Sequence, residues 1–412
     1  MRNGMGGRTV EHETLREHAH AWFADRAPRR AEVTDAFDVS VFHDLAADDE
    51  RELLERLCRW HQDKWDAGLA GLDWSQADGG LGREAAGVVE EVEGAYATPT
   101  VHELFSVTVH LVAPTVRLFG TDEQKARFLR TFARAEELCV QLFSEPGAGS
   151  DLAGLSTRAR RTEDGWRVDG QKVWSSGAQF AAYGLLIARS DEDAVKHAGL
   201  TAFLVPMDAP GVTVRPLRQM SGGSSFCEVF LDDVHLDDAL RVGEVGQGWK
   251  VATTTLSFER DTSGSDTTTG GSWEQVLELA RTLGRTDDAR TRPALADLYL
   301  HHRLAEVAAA RDLKDREDGL PQGPVGSMRK LQWVEGLMRT SDVVTDLLGG
   351  RLVADTGQER TYAWTAHVLG APGYRIAGGT DEIQRSIIAE RMLGLPAGPK
   401  LDRGRPWREI PR

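Results

Sequence analysis

The feature that most constrains this 412-residue chain is a block of short β-type runs between two long stretches of helical pattern. In the first stretch, apolar residues recur at helical spacing from Thr9 to Ala27 and from Asp48 to Trp65. A further helix is predicted over Glu84 to Tyr96, and Thr121, followed by two acidic residues, is a typical helix start. We therefore predict an N-terminal helical domain over residues 1–137.

The β-type block is predicted to form a second domain, over residues 138–245. Turns such as Asp169-Gly170 separate its runs of β-formers, which lie at residues 166–168, 183–187, 201–205, 212–214 and 227–231. Several short strands at this spacing predict an antiparallel barrel or sandwich. The order of helices, strands and helices favours a β domain between two helical ones.

Helical pattern returns after Gly248 and continues to about Leu393, so residues 246–412 are predicted to form a C-terminal helical domain. Two stretches within it are predicted to be loops. Ser263–Ser272 is rich in serine, threonine and glycine, and Asp315–Ser327 contains two prolines and three glycines.

Composition excludes several classes of function. The formal net charge of −15 argues against a nucleic-acid binder, which needs a basic face to meet phosphates. The three cysteines, Cys58, Cys139 and Cys227, lie far apart, so no disulfide framework is expected. The histidines show no metal-binding motif, so no metal site is expected. The charged N-terminus and the absence of a run of about 18 apolar residues predict a cytoplasmic protein without a membrane span.

Two segments of the β block suit a flat ring or a phosphate. In Leu142 to Leu152, a β-type run enters a Pro/Gly loop with hydroxyls on either side, so backbone N–H groups and serines can approach a ligand closely. An ordinary turn is the alternative. In Lys172 to Gly177, Trp174 is either a barrel-core aromatic or the wall of a flavin, with Ser176 as a hydrogen-bond donor.

Two segments of the C-terminal domain carry candidate groups. On a helix, Ala252, Leu256 and Glu259 share one stripe, so Glu259 interrupts a largely apolar face. Desolvation of such a carboxylate favours its use as a base, whereas most helix glutamates are simply solvated. Farther on, Gly378-Gly379 precedes Thr380, which is predicted to cap a helix whose N-terminus suits an anion such as pyrophosphate.

These segments together resemble the acyl-CoA dehydrogenase family from about Thr14 to Pro396. The segments most similar to the family are residues 140–151, 172–177, 199–260 and 370–396. Two of them look like its signatures: Ser144-Glu145-Pro146-Gly147-Ala148-Gly149-Ser150-Asp151 and Gly378-Gly379-Thr380-Asp381-Glu382-Ile383-Gln384-Arg385. The resemblance implies an α+β multidomain fold with an N-terminal helical domain, a central antiparallel β-barrel or sandwich and a C-terminal four-helix bundle.

The resemblance also implies noncovalent binding of FAD between the β domain and the bundle. The residues implied to bind it are Leu142, Ser144, Gly149, Ser150, Trp174, Ser176, Gly349, Gly350, Thr380 and Glu382. Ser150 and Arg260 fall where the family contacts the acyl-CoA substrate.

The implied reaction is α,β-desaturation, in which a carboxylate removes the α-proton of a thioester and hydride passes from the β-carbon to flavin N5. A backbone N–H that matches Gly378 holds the thioester oxygen. Many family members carry the catalytic glutamate at the position of Gly378, and a second group carries it at the position of Glu259. Glu259 is therefore the predicted base, and a structural role for it is the alternative.

The implied substrate is an acyl-CoA or an acyl group on a carrier protein, and the implied electron acceptor is electron-transfer flavoprotein. A homo-oligomer, either a tetramer or a dimer, is expected. The usual dimer-contact motif, arginine followed two residues later by Phe-Gly, is absent after the Ser/Gly/Thr stretch. Two other functions stay open: a flavin-dependent monooxygenase of the same fold, and a noncatalytic subunit of a mixed oligomer.

Overall fold

The structure is a computed structural model. It describes residues 3–33, 37–42, 45–74, 80–262, 269–317, 324–358, 360–399, 402 and 404–410, without the side chains of residues 3–11, 259–262, 313, 316 and 317. The chain divides into two compact units. Unit 1 comprises Met1–Phe37, Ala47–Val140 and Phe180–Tyr183, and unit 2 comprises Asp38–Ala46, Gln141–Gln179 and Gly184–Arg412.

Unit 1 is helical, as predicted. Its helices are α1 (Asn3–Arg26), α2 (Ala47–Asp66), α3 (Arg83–Glu93), α4 (Glu103–Ser106), α5 (Ala113–Phe119), α6 (Asp122–Gln124) and α7 (Arg130–Ala133). A π-helical segment, Val107–Val112, joins α4 to α5, and a second, Lys125–Leu129, joins α6 to α7. Thr121 caps α6 as predicted, and its hydroxyl accepts the N–H of Gln124.

The predicted end of α3 at Tyr96 is wrong. The helix ends at Glu93, and Gly94 follows as its C-cap residue. Tyr96 is drawn instead into an isolated β-bridge with Arg29 and into the core of unit 1, where its ring stacks on Phe23 at 5.6 Å. Burying an aromatic side chain contributes about 1.5–3 kcal/mol, which outweighs the weak helix preference of these residues.

His61 on α2 is buried in unit 1, and its Nε2 faces the carbonyl oxygen of Ala133 at 2.8 Å. Because the carbonyl can only accept, Nε2 carries the proton in the neutral ring. Burial lowers the pKa of His61 to about 4, and the hydrogen bond to Ala133 opposes this only in part. The imidazole is therefore neutral in the folded state at pH 7.

The sheet belongs to unit 2 except for Cys139, Val140 and Tyr183, which are assigned to unit 1. Within the described residues the strands are β1 (Cys139–Leu142), β2 (Arg158–Thr162), β3 (Gly165–Ser176), β4 (Tyr183–Arg189), β5 (Leu200–Pro206), β6 (Val212–Pro216), β7 (Phe226–Leu236) and β8 (Arg241–Val242). They form one sheet in the order β6-β7-β3-β2-β4-β5-β8, and β1 pairs with β4.

The sheet is mostly antiparallel, which confirms the predicted β architecture. The pairs β2–β3, β3–β7, β6–β7 and β5–β8 are antiparallel, whereas β2 meets β4 in parallel through Arg158 and Arg189. Strands β4 and β5 are buried along nearly their whole length, so both faces of the sheet are covered there.

The remaining helices of unit 2 are α8 (Gly248–Thr262), α9 (Trp273–Thr282), α10 (Thr291–Glu317), α11 (Val325–Leu348), α12 (Trp364–Tyr374) and α13 (Asp381–Ile387). The predicted loop at Asp315–Ser327 is wrong at both ends, because α10 runs to Glu317 and α11 begins at Val325. Residues 263–268 of the other predicted loop lie outside the described residues, and Ser272 caps α9.

The segment before α2 that belongs to unit 2 packs against two glycines of α12. A β-carbon on Gly370 would lie 2.8 Å from Val41, and one on Gly373 would lie 2.6 Å from the ring of Phe42. The missing side chains are therefore what allow Phe42 to stack on Tyr374 at 4.8 Å. Among the residues that the structure describes, no helix is long and apolar enough to cross a membrane.

We predict that His61→Gln reduces the loss of stability in acid. The unfolded chain protonates a histidine near pH 6.5, whereas folded His61 stays neutral down to about pH 4. Its contribution is complete above pH 6.5 and is lost as pH falls towards 4, by about 1.4 kcal/mol per pH unit. Urea denaturation at pH 7.5, 6 and 5 measures this slope. The exposed His235→Gln is the control, and equal slopes for both variants would contradict the assignment.

Candidate functional site

A buried ion pair anchors the loop that begins at Ser144. The Lys172 side chain on β3 is fully buried, and its ammonium donates to Glu145 Oε1 at 2.9 Å, to the Phe143 carbonyl at 3.0 Å and to the Ile187 carbonyl at 2.9 Å. These three acceptors satisfy its three donors. A buried charge is tolerated only when it is paired and hydrogen-bonded in this way.

Glu145 is equally well satisfied. Its carboxylate accepts the backbone N–H groups of Ser156 at 2.6 Å and Thr157 at 2.9 Å, besides Lys172. Burial of Glu145 opposes its negative charge, but Lys172 and these N–H groups outweigh that effect and hold the pKa of the carboxyl below its usual range. The first turn of the loop is thus fixed by a buried and fully hydrogen-bonded pair of side chains.

Beyond Glu145 the loop is open. Glu145 and Ala148 exchange backbone hydrogen bonds at 3.0 and 3.1 Å. A β-carbon on Gly149 would meet nothing within 4 Å, and both Gly149 and Ser150 are exposed. Within the described part of the chain, no acceptor pairs with the N–H group of either residue. Such exposed, unpaired N–H groups suit an anion such as a pyrophosphate.

Trp174 is turned out of the sheet by a β-bulge. The register between β3 and β7 shifts between Lys172 and Ser175, both of which are buried, whereas 62% of the Trp174 surface is exposed. Its φ angle of 62° is in the left-handed region, which disfavours a bulky residue by about 1–2 kcal/mol. The barrel-core alternative for Trp174 is therefore wrong, and such strain is typical of functional sites.

Three serines lie on the loop and on the strand that carries the bulge. Val173 N–H donates to the Ser144 carbonyl at 2.9 Å, which joins the loop to the end of β3. In the part of the chain that the structure describes, the hydroxyls of Ser144, Ser150 and Ser176 have no hydrogen-bond partner. They are free to bind a ligand that lies across Trp174. Leu142 differs from them, because it is fully buried and packs over Gly184.

An aromatic series connects Trp174 with the C-terminal helices. Ring centroids lie 6.0 Å apart between Trp174 and Phe226, 5.5 Å between Phe226 and Phe42, and 4.8 Å between Phe42 and Tyr374. Tyr374 is the last residue of α12 and precedes Gly378 by one turn of chain. The structure therefore brings the bulge on β3 and the predicted glycine turn to one region of unit 2.

Gly378 and Gly379 form a left-handed turn, with φ angles of 65° and 88°. Gln384 Nε2 donates to the Gly378 carbonyl at 2.7 Å, and Lys330 Nζ donates to the Gly379 carbonyl at 2.9 Å. Thr380 caps α13 as predicted, and its hydroxyl oxygen accepts from Ile383 N–H, so the hydroxyl proton stays available. Glu382, in the first turn of α13, is exposed.

Gly349 and Gly350 are not part of this region. They follow the C-terminal end of α11, whereas Lys330, which contacts the glycine turn, lies near its beginning. At a rise of about 1.5 Å per residue, Lys330 and Leu348 are about 27 Å apart along the helix. Within one chain, Gly349 and Gly350 are therefore too far from the Gly378 turn to contact the same chemical group of a ligand.

Helix α8 carries the predicted base. Val251, Ala252 and Thr255 are buried on one face, and Leu256 is half-buried. Glu259 follows Thr255 by one helical turn, so the backbone places it next along that buried face. The side chains of Glu259 and Arg260 lie outside the described residues, so their predicted roles remain predictions.

The C-terminal segment covers a cavity of about 520 Å³ behind the Ser144 loop. Trp407 lines the cavity and packs under the Arg189 guanidinium, which lies 4.6 Å from the ring centroid. Lys196 Nζ joins Asp151, at 2.7 Å, to Asp402, at 2.8 Å. These contacts join Asp151, at the end of the loop, to the C-terminal segment.

Three family models together match most of the chain. They are described as the acyl-CoA dehydrogenase N-terminal, middle and C-terminal domains, and they match residues 9–136, 141–234 and 246–393. The chain belongs to the acyl-CoA dehydrogenase family. Members are flavoprotein oxidoreductases, and FAD is their usual cofactor.

Individual members of this family are similar to the chain in sequence or in structure. The chain is 36% identical to "Acyl-CoA dehydrogenase IpdE1" of Mycobacterium tuberculosis, over 85% of this chain and 91% of that protein. A solved structure described as "Tcur3481-Tcur3483 steroid ACAD" is 27% identical, with a TM-score of 0.73 over 94% of this chain and 98% of that one. The ChsE4-ChsE5 complex from Mycobacterium tuberculosis is 26% identical, with a TM-score of 0.72 over 94% and 98%.

Sequence reasoning missed the side chains that hold this acyl-CoA dehydrogenase site together. Lys172 lies inside a segment singled out for Trp174 and Ser176, but a lone lysine at a strand position predicts solvent exposure. Lys330 and Gln384 are polar residues on helices, where exposure is again the ordinary expectation. Their partners are backbone carbonyls far along the chain, which no local pattern reveals.

We predict that Lys172→Met destabilises the protein by about 3–5 kcal/mol, because it leaves the Glu145 carboxylate buried without its counter-ion. Urea denaturation measures the change. In Lys172→Met/Glu145→Gln the uncompensated charge is gone, and most of the loss should be recovered. The partly exposed Lys125→Met is the control. If Lys172→Met is as stable as Lys125→Met, the assigned ion pair is contradicted.

We predict that Trp174→Gly is more stable than Trp174→Ala by about 1 kcal/mol, since glycine tolerates a left-handed φ angle and alanine does not. Both variants remove the same ring, so their difference isolates backbone strain. Thermal unfolding of the two proteins without added ligand measures it. At Trp166, whose conformation is an ordinary extended one within β3, the same pair of substitutions should show no advantage for glycine. A more stable Trp174→Ala would show that the bulge relaxes.

Proposed function

We propose that this chain is an FAD-dependent dehydrogenase that introduces an α,β double bond into an acyl thioester. The observation that carries the proposal is the strained, outward-turned Trp174, on a strand joined to a loop, which together carry three unpaired serine hydroxyls. If Trp174 served only to pack the sheet, its ring would be buried and its backbone would not adopt a left-handed φ angle. Membership of the acyl-CoA dehydrogenase family supports the same function.

The residues present fit FAD. The exposed indole of Trp174 offers a flat surface to an isoalloxazine ring, and Ser176 and Ser144 offer hydroxyls beside it. The open N–H groups of Gly149 and Ser150 suit the pyrophosphate, and Thr380 keeps a hydroxyl proton at the N-terminus of α13. Glu382 completes the proposed set within one subunit, and Gly349 and Gly350 are proposed to contact the FAD of a second subunit. When bound, FAD supplies the acceptor for the hydride that leaves the β-carbon.

The chain's own groups handle the proton and the thioester oxygen. We assign Glu259 as the base that removes the α-proton, because its position follows the buried face of α8. Gly378 N–H donates to the thioester oxygen, where negative charge develops as the proton leaves. Arg260 and Ser150 bind the CoA portion. Base and oxygen donor lie on different elements, α8 and the turn before α13.

The proposed substrate class is a bulky, cyclic acyl-CoA. The series of aromatic side chains from Trp174 to Tyr374 favours a flat, apolar acyl group over a flexible chain. The structural neighbour described as a steroid ACAD supports this class. An acyl group on a carrier protein is the alternative form of the same substrate.

The proposed electron acceptor is electron-transfer flavoprotein, and the proposed assembly is a homotetramer or a homodimer. Gly349 and Gly350 follow the end of α11, about 27 Å along the helix from Lys330, which contacts the glycine turn. We therefore propose that they contact the FAD held mainly by a second subunit. The two-component names of the neighbours, Tcur3481-Tcur3483 and ChsE4-ChsE5, favour a related chain as an alternative second subunit.

We predict that anaerobic addition of a cyclic acyl-CoA bleaches bound FAD, and that Glu259→Gln slows bleaching by about 10²–10⁴-fold, the usual effect of losing a general base. Flavin absorbance measures both the rate and the FAD content. Glu274→Gln, an exposed glutamate on α9, is the matched control and should bleach at the wild-type rate.

Equal rates for wild type and Glu259→Gln would remove Glu259 from the mechanism. No bleaching by any thioester in a protein that holds FAD, together with flavin turnover that needs an external reductant to reduce FAD and oxygen to reoxidise it, would favour the monooxygenase. A protein that stays colourless after FAD is supplied would favour the noncatalytic subunit.

A further inference from the structure

We propose that Lys330 and Gln384 are positioning residues that hold the peptide groups of the Gly378-Gly379 turn so that the Gly378 N–H is aimed at the thioester oxygen. The inference rests on the proposed function, because it assigns a role in that same thioester site. Neither residue touches the substrate in this proposal. Both act through backbone carbonyls of the turn.

The clamp is direct and buried. Lys330 and Gln384 are 2% and 1% exposed, and they donate to the carbonyls of Gly379 and Gly378 at 2.9 and 2.7 Å. Gln384 Nε2 also lies 3.4 Å from the Gly379 carbonyl. Two consecutive carbonyls are thus held from the protein interior by side chains on two different helices, α11 and α13.

The N–H groups of the same turn are left open. Within the residues that the structure describes, the N–H groups of Gly378 and Gly379 have no acceptor, whereas nearly all buried backbone N–H groups in folded proteins are paired. Both residues are only partly exposed. A turn whose carbonyls are hydrogen-bonded to the protein interior and whose N–H groups are unpaired has the donor arrangement of an oxyanion hole.

Two adjacent glycines need such a clamp. Glycine populates left- and right-handed regions about equally, so a Gly-Gly pair without side-chain restraints samples many peptide orientations. A donor stabilises a developing oxyanion only if it is already oriented before the reaction. Gln384 and Lys330 hold the two peptide groups that follow Gly378, because rotating either of them would break a buried hydrogen bond. The Ala377–Gly378 peptide, which carries the Gly378 N–H, therefore lies between the held Gly378 carbonyl and the Ala377 N–H, which donates to the Gly373 carbonyl at 3.0 Å.

The charge of Lys330 is balanced locally. Its ammonium lies 3.5 Å from Asp381 Oδ1, and Asp381 Oδ2 accepts from Arg375 Nε at 2.9 Å. Removing Lys330 therefore leaves Asp381 with a cationic partner, which favours folding of the variant. Arg375 contacts Asp381 without contacting either glycine carbonyl through its side chain, which makes it the matched control.

The test uses the FAD-loaded protein and two probes, CoA and acetoacetyl-CoA. Both probes share the nucleotide and the pantetheine arm, but acetoacetyl-CoA adds a thioester that binds readily as its enolate. The ratio of the two dissociation constants therefore reports recognition of the thioester oxygen. It is measured by flavin absorbance for acetoacetyl-CoA and by calorimetry for both probes, in wild type, Lys330→Met, Lys330→Gln, Gln384→Met and Arg375→Met.

We expect the preference for acetoacetyl-CoA over CoA to fall about tenfold or more in Lys330→Met and Gln384→Met, on the scale of a displaced oxyanion donor. Lys330→Gln keeps an N–H donor without the charge and should recover part of the preference. Arg375→Met should keep it. Affinity for CoA should change by less than about threefold, since no CoA contact is altered.

Two results would overturn the proposal in distinguishable ways. If wild type prefers acetoacetyl-CoA and the variants prefer it equally, the clamp has no positioning role, and the proposed function stands. If wild type itself shows no preference for acetoacetyl-CoA, the thioester site is absent, and both proposals fail. If Lys330→Met does not fold, Lys330→Gln and Gln384→Met decide between these outcomes.

Discussion

The candidate site depends first on the buried ammonium of Lys172. Removing a charge from water is so unfavourable that all three of its acceptors must be in place before β3 can bury it. Those acceptors are the Phe143 carbonyl just before the loop, the Glu145 carboxylate within it and the Ile187 carbonyl on β4, so one side chain fixes the relative positions of the loop, β3 and β4. The neighbouring bulge follows from the same constraint. With Lys172 and Ser175 both held inward, the chain between them has one residue too many, and Trp174 is turned outward.

The C-terminal half of the site also contains a buried lysine that donates to the backbone. Lys330 is also buried, and it also donates to a backbone carbonyl, but it fixes a turn rather than a strand. In each case the interior side chain binds carbonyl groups and leaves N–H groups or hydroxyls open on the other side. Backbone carbonyls can only accept, so satisfying them with buried donors leaves the ligand side rich in donors. Such a surface suits an anionic cofactor and a developing oxyanion.

Sequence reasoning recovered the fold because its signals are local. The helical periodicity of α1 and α2, the alternation in β7 and the caps at Thr121 and Thr380 depend on neighbouring residues, and the structure has them where they were predicted. Tyr96 was misplaced because its stacking on Phe23 involves a residue more than seventy positions away.

The candidate site was predictable only in part. The glycine- and serine-containing segments stand out by composition, but the clamps that orient them do not. Lys172 and Gln384 act on carbonyls, which every residue carries, so the sequence holds no mark of the partner. Trp174 shows the same limit, because alternation along β3 would place it inward, and only the register shift against β7 turns it outward.

The left-handed turn gives a physical reason for a glycine at position 378 and a base elsewhere. A side chain there would have to adopt a φ angle of 65°, which disfavours a non-glycine residue by about 1–2 kcal/mol. With the proposed base on α8, the turn is free to be shaped for hydrogen-bond donation alone. The proton acceptor and the oxyanion donors can then be positioned by separate sets of contacts, α8 against the buried face at Thr255 and the turn against Lys330 and Gln384.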